Sequence, residues 1–266
     1  MPYFQGVFGK IFYVKRGKGF PIILIPGMGA SHQEWFQQFP TLSKHCQVIS
    51  LDNAGSGKSV HPDCEISIEQ MAEDVHRLMQ HLKLEKVALV GSSMGGLIAQ
   101  HCLEKWPEKI SGLVLSATFG HVDQHIMQIL GPLLRSRQST KVRIHNVLPL
   151  MLSAQFIKEH PAIVRHYAQK AEKFAAPREV LQKQVRAVLN FTPHPIRRTH
   201  TIPIMIFAGS EDPITPPKMA HELQKRYPQA TLHIFEGAKH LLHVERAKEF
   251  NEMVQYFIRV CCHSES

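Results

Sequence analysis

The sequence predicts an α/β protein: a parallel-type sheet with helices packed on it, interrupted once by a helical insertion. Three observations predict this. Short apolar runs alternate with amphipathic segments through the first 120 residues, the pattern of successive βαβ units. Strand signals lapse across 121–200 and then return. One buried-type run, 86–90, passes through a turn of small residues directly into a helical pattern.

Taken in order, 7–14 and Pro21–Ile25 read as the first strands and Gln47–Leu51 as the next. In 68–82, Ile68, Met71, Val75, Leu78, Met79 and Leu82 recur at three- and four-residue steps, so this segment is a helix. The run 86–90 is a central strand, 95–106 a helix stopped by Pro107, and Ile110–Ser116 another strand. Helical stretches such as 126–134 and Arg178–Leu189 fill the insertion. Strands resume at 204–207 and Thr231–Phe235, with a helix at 218–226 between them and a closing helix at 248–260. The expected organisation is a core of 1–120 and 201–266 carrying an insertion of 121–200, with no repeat and no low-complexity linker.

The chain has 266 residues, 44% of them hydrophobic, enough to bury a large core. The N-terminal residues lack the basic and apolar regions of a signal peptide, and no apolar run is long enough to span a bilayer. Five cysteines, an odd number without C-x-x-C spacing, argue against a disulfide framework or a thiolate metal site. A cytoplasmic protein is the expectation.

Gly91-Ser92-Ser93-Met94-Gly95 matches G-x-S-x-G between a predicted strand and a predicted helix. In that context the turn is sharp, and the central side chain is held out over the sheet. Ser93 holds the central position and Ser92 is its neighbour. A serine hydroxyl needs a general base, itself oriented by a carboxylate. In an open α/β sheet these groups come from loops at the carboxyl ends of strands. Strand 204–207 runs into Ala208-Gly209-Ser210-Glu211-Asp212-Pro213, so Asp212 is the candidate acid and Glu211 the alternative. Strand Thr231–Phe235 runs into Glu236-Gly237-Ala238-Lys239-His240, so His240 is the candidate base, with His243 three residues on as competitor. An oxyanion needs preorganised N–H donors. The backbone N–H of Met94 follows the nucleophile, and Pro26-Gly27-Met28-Gly29 follows an early strand, which makes Met28 the second candidate.

These segments resemble the α/β-hydrolase superfamily: Ile25-Pro-Gly-Met-Gly-Ala-Ser31, Asp52-Asn-Ala-Gly-Ser-Gly-Lys-Ser59, the turn around Ser93, Gly209-Ser-Glu-Asp212, and Gly237-Ala-Lys-His-Leu-Leu-His-Val-Glu245. Small carboxylesterases, 3-oxoadipate enol-lactonases and carbon–carbon bond hydrolases are the groups they resemble most. The resemblance covers roughly 5–120 and 200–260. It implies a mostly parallel sheet of about eight strands with helices on both faces and a helical cap after strand 6. It also implies a Ser–Asp–His hydrolase that cleaves a carboxylic ester or lactone. The alternatives are a carbon–carbon bond hydrolase of a meta-cleavage-type diketone and an esterase of carrier-protein-bound, pimeloyl-type methyl esters. A non-enzymatic rival is a degenerate hydrolase fold acting as a small-molecule receptor. The chain departs from the pattern twice: Pro26 stands where many relatives have His, and Ala54 where many have Arg.

No cofactor is expected. Gly55-Ser-Gly-Lys-Ser59 mimics a phosphate-binding loop, but Asp52 stands where that motif needs its first glycine. No histidine pair has a plausible third metal ligand, and nothing in the pattern marks a nucleic-acid binder.

The formal net charge is +9, and residues 121–200 carry all of the excess, with 13 Lys and Arg against 4 Asp and Glu. Arg135, Arg137, Lys141 and Arg143 lie close together, and Arg197-Arg198 closes the insertion. Two readings stay open: a solvated lid, or a field that steers an acidic partner or anionic substrate. The apolar residues Ile126, Leu130, Leu133, Leu134, Leu148, Met151, Leu152 and Phe156 are candidates for an acyl pocket or for the lid's own core.

Overall fold

The computed structural model describes residues 2–193 and 201–263. Eight strands form one sheet: β1 (Tyr3–Gln5), β2 (Lys10–Arg16), β3 (Pro21–Ile25), β4 (Gln47–Leu51), β5 (Val87–Ser92), β6 (Ile110–Ser116), β7 (Ile204–Gly209) and β8 (Thr231–Phe235). Their order is β1-β2-β4-β3-β5-β6-β7-β8. Strands β3 to β8 run parallel, while β2 is antiparallel to both β1 and β4. The mostly parallel eight-stranded sheet is the predicted one.

The first hairpin departs from the expectation of a single strand across 7–14, which leaves no place for β1. In the structure Gly6 N–H donates to the Gly9 carbonyl, and Gly9 takes φ +140°, a conformation open to glycine. That turn ends β1 and delays β2 to Lys10. A three-residue edge strand has too few positions to show a period.

The chain passes from β3 outward to β4, then crosses back to place β5 on the other side of β3. The reversal leaves a crevice beyond the carboxyl ends of β3 and β5, where ligands bind in open α/β sheets. Strand β5 is buried at every position. Helices α1 (Gln38–Leu42), α2 (Ile68–His81) and α3 (Met94–Lys105) follow in the first half. Helix α2 starts at a capping box: Ser67 Oγ accepts from Gln70 N–H, and Gln70 Oε1 accepts from Ser67 N–H. Among the described residues five helices lie between β6 and β7: α4 (Gln124–Leu130), α5 (Thr140–Met151), α6 (Ala154–Glu159), α7 (Pro161–Phe174) and α8 (Arg178–Leu189). The side chains of Asp123, Ser139 and Ser153 cap α4, α5 and α6. Helices α9 (Pro217–Arg226), α10 (Leu242–Glu245) and α11 (Ala247–His263) complete the chain.

Apolar side chains pack on both faces of the sheet, with α2 and α3 on one and α11 on the other. A third cluster, Leu152, Phe156 and Tyr167 with Leu241 and Val244, joins the inserted helices to the loop that carries His240. Among the described residues no helix is long and apolar enough to cross a membrane. Arg197 and Arg198 lie outside the described residues.

Candidate active site

Ser93 sits between β5 and α3 with φ 52° and ψ −119°. A side chain at positive φ is strained and persists only where its surroundings enforce it. Here Ser93 N–H donates to the Ser116 carbonyl on β6, and the Ser93 carbonyl accepts from Gly96 N–H and Thr118 Oγ1. The flanking glycines are required by space. A Cβ on Gly91 would strike the Gly95 backbone, and one on Gly95 would strike the Ile25 carbonyl. The motif therefore folds as a sharp strand-to-helix turn because only hydrogen atoms fit on either side of it.

Two later loops meet at this turn. After β7, Asp212 is buried, and its Oδ1 accepts the N–H groups of Ile214 and Thr215 at 2.8 and 3.0 Å. Its Oδ2 accepts Thr215 Oγ1–H at 2.7 Å and His240 Nδ1–H at 2.8 Å. Burial alone would raise the Asp212 carboxyl, but the charge and hydrogen bond of His240, with the Thr215 donors, hold it below its ordinary value. Burial opposes the charged form of His240. The charge and hydrogen bond of Asp212, with the charge of Glu34, outweigh it and raise the imidazole.

Ser93, His240 and Met28 line a single cavity of ≈ 260 Å³ roofed by the inserted helices. In the loop after β3, Gly27 N–H donates to Glu34 Oε2 at 2.8 Å and Gly29 N–H to Gln184 Oε1 at 2.7 Å. Met28 N–H lies between these two committed donors. Met94 N–H belongs to the first turn of α3, whose dipole favours negative charge.

A family model described as serine aminopeptidase, S33 (Hydrolase_4) matches residues 21–247. The chain belongs to this family. It is thereby a hydrolase, and its fold is the α/β-hydrolase fold. It is 26% identical to 3-oxoadipate enol-lactonase 2 of Acinetobacter baylyi over 88% of this chain and 86% of that one. It is 26% identical to a 2-hydroxy-6-oxo-6-(2'-aminophenyl)hexa-2,4-dienoic acid hydrolase of Metapseudomonas resinovorans over 92% and 86%. The enol-lactonase structure from Burkholderia xenovorans LB400 superposes with a TM-score of 0.88 at 23% identity, covering 97% of this chain and all of that one.

Within this hydrolase fold the competing candidates separate by position. Glu211 is exposed, whereas Asp212 is the carboxylate on His240. His243 is fully buried against Trp35 and Phe250, and desolvation pushes its imidazole down to about 3. Ser92 and Ser93 both border the cavity, but Ser92 is buried and hydrogen-bonds to Glu34, while Ser93 holds the strained turn. Leu130, Leu133, Leu148 and Met151 line the cavity. Ile126 and Leu134 join the sheet core, and Leu152 and Phe156 the third cluster.

The phosphate-loop mimic has no N–H to offer a phosphate. Gly55, Ser56, Gly57, Lys58 and Ser59 N–H groups donate to Val60, Asn53, Phe174, Asp52 Oδ2 and Ser56 in turn. Asp52, fully buried, also accepts the backbone and Nδ1 N–H groups of His32, each at 2.7 Å. No group of three or more His, Cys, Asp or Glu side chains among the described residues converges as a metal site.

Two side chains of the site, Glu34 and Gln184, carry no pattern in the sequence, and a third, Arg143, shows there only as one member of a basic cluster. Glu34 lies in a 3-10 turn (His32–Trp35) directly after the Met28 loop. Desolvation raises its carboxyl to about 7, against the pull of Gly27 N–H, Ser92 and His240. Gln184 on α8 is fully buried and bridges that helix to the loops after β3 and β4, taking Gly29 N–H while its Nε2 donates to the Ala54 carbonyl and Ser56 Oγ. Arg143 on α5 is buried and lines the cavity.

Proposed function

We propose that this chain hydrolyses a carboxylic ester or lactone through an acyl-enzyme, with Ser93 as nucleophile, His240 as base and Asp212 as the group that orients it. The observation that carries the reading is the strained Ser93 sharing one cavity with the His240–Asp212 pair. Ser93 Oγ attacks the carbonyl carbon as its proton passes to His240 Nε2. The Met28 and Met94 N–H groups hold the oxyanion. The tetrahedral centre collapses, the C–O bond breaks, and His240 returns its proton to the leaving alkoxide. Water then attacks the acyl carbon as its proton passes to His240; the second tetrahedral centre breaks its bond to Ser93 Oγ, which takes that proton back from His240 as the acid leaves. Asp212 and Glu34 keep the imidazole basic enough for both proton transfers.

In this reading residues 121–200 are a cap that selects the substrate. An aminopeptidase substrate would bring an α-ammonium, which needs an available carboxylate. Among the described residues the one carboxyl lining the cavity is Glu34, already bound by Gly27 N–H and raised to about 7 by burial. That absence of a receptive anion favours esters and lactones over peptides. Cys64 and Cys102 are thiols, which suits a cytoplasmic location.

Turnover of p-nitrophenyl esters from acetate to laurate, with Ser93→Ala as control, tests the reading. The expected result is hydrolysis that the variant loses. Full activity in Ser93→Ala would refute the mechanism. The similarity to the dienoic acid hydrolase supports a second reading, carbon–carbon bond hydrolysis by the same residues. Bleaching of a yellow dienol diketone, with no ester turned over, would select it.

A further inference from the structure

Helix α5 contributes the most hydrophilic group of the cavity wall. Arg143, Val147 and Met151 succeed one another at four-residue spacing and share one face of the helix, and all three line the cavity. Arg143 is only 8% exposed. Its Nη2 donates to the Ala176 carbonyl at 3.4 Å, which uses one of five guanidinium N–H groups. Burial pulls the guanidinium below its usual value, and no carboxylate among the described residues offsets that effect. Buried cations are otherwise paired. Lys170 on α7 lines the same cavity and is half-buried. Apart from these two cations the ionisable side chains lining the cavity among the described residues are Glu34, Tyr167 and His240. Glu34 is spent on Gly27, so its charge is not what Arg143 answers.

We propose that Arg143 is an anion subsite in the roof of the cavity, with Lys170 as a second cation. The substrate is then an ester or lactone that carries a carboxylate remote from the scissile bond, the chemistry of a dicarboxylic half-ester. The proposal rests on the hydrolytic reading of Ser93 for its reaction and on Arg143 for its selectivity. A guanidinium suits this task because its planar fork can take a carboxylate through two parallel N–H···O bonds. The surrounding apolar wall strengthens the attraction and rejects substrates that present no charge to the buried cation.

The test compares p-nitrophenyl hydrogen adipate with p-nitrophenyl heptanoate, esters of similar length that differ in the distal charge. A charge-assisted hydrogen bond in such a site is worth roughly 10- to 150-fold in kcat/KM. Wild type should favour the adipate by at least about tenfold. Arg143→Met should collapse that ratio, and Arg143→Lys should restore part of it, since lysine keeps the charge without the fork. The ratio is the readout, so a general loss of activity does not imitate the effect. A second arm measures the melting temperature with adipate ion at fixed ionic strength, which should stabilise wild type and not Arg143→Met. If both esters are hydrolysed with equal kcat/KM and the ratio is unmoved by Arg143→Met, the subsite is refuted and the esterase reading stands. If neither ester is hydrolysed while adipate stabilises wild type alone, the subsite stands and the esterase reading falls. Stabilisation by adipate that survives Arg143→Met refutes the subsite.

Discussion

Replacing Glu34 by glutamine should make the stability of this fold less sensitive to pH between 5 and 8. Glu34 is buried, and desolvation holds its carboxyl at about 7 instead of the ordinary 4.5. Between those values the folded chain keeps a proton that the unfolded chain has lost. Stability therefore falls as pH rises through this window and levels off above about 7. Each pH unit crossed in the window costs about 1.4 kcal/mol, so the whole fall amounts to about 3 kcal/mol. Every element packed on Glu34 enters this balance. Gly27 N–H and Ser92 bind the charged form, His240 attracts it, and Tyr167 on α7 faces it. His243 Nε2 stands 3.5 Å from Glu34 Oε1 but is held neutral. His243 acts in the opposite sense. It stays unprotonated down to about 3, so its contribution is lost as pH falls below the ordinary 6.5. That contribution is common to both proteins and cancels in their difference. In Glu34→Gln the amide oxygen can still accept Gly27 N–H, and nothing titrates. Equilibrium urea unfolding at each half pH unit measures the difference. Relative to wild type, the variant should gain about 3 kcal/mol between pH 5 and pH 8. A difference that does not change with pH would refute the burial argument, whatever its absolute size.

Other positions give sharper qualitative outcomes. Asp212→Asn keeps the shape but removes the charge facing His240 Nδ1, and kcat in steady-state turnover should fall by about 10³- to 10⁴-fold. Ser93→Gly relieves a side chain held at φ 52°, so it should abolish turnover yet raise stability by about 1 kcal/mol in urea unfolding. Gln184→Leu strands Gly29 N–H, the Ala54 carbonyl and Ser56 Oγ, and should cost about 2–4 kcal/mol while raising KM through a loosened Met28 loop. A Gln184→Leu protein as stable as wild type would show that this bridge carries no weight.

The sheet and its turn are legible in the sequence because their constraints are local. β3, β4, β6 and β8 fall where apolar runs place them, and the small residues around Ser93 announce a backbone with no room for Cβ atoms. Asp212 and His240 are legible for a related reason: each follows the end of a readable strand by a few residues. Glu34 and Gln184 are not. Each acts through a partner that its own neighbourhood does not reveal, Gln184 most plainly, since Gly29 and Ala54 lie far away in sequence. Glu34 before Trp35 reads as an ordinary surface acid until the fold closes over it. The first hairpin escapes a sequence reading because its strand is shorter than any usable period.

The positive charge of the insertion is a different case, since composition alone could not divide it. Of the four clustered cations, Arg135, Arg137 and Lys141 are exposed, and Arg143 alone is buried. The exposed three account for solvation and for any long-range attraction, which salt screens within about 10 Å at ordinary ionic strength. The buried one sits in a low-dielectric wall where screening is weak and a missing counter-ion is costly. On the anion-subsite proposal, the two open readings of this basic block apply to different residues. Helical phase is what separates them: Arg143 shares the face of Val147 and Met151, while Lys141 is on the exposed side of the same helix. Raising ionic strength should weaken encounter with any anionic substrate through the exposed residues. It should leave the discrimination exerted by Arg143 largely intact. A salt titration of kcat/KM for the adipate and heptanoate esters separates these contributions. A parallel collapse of the adipate preference with salt would place the selectivity on the surface and not in the cavity.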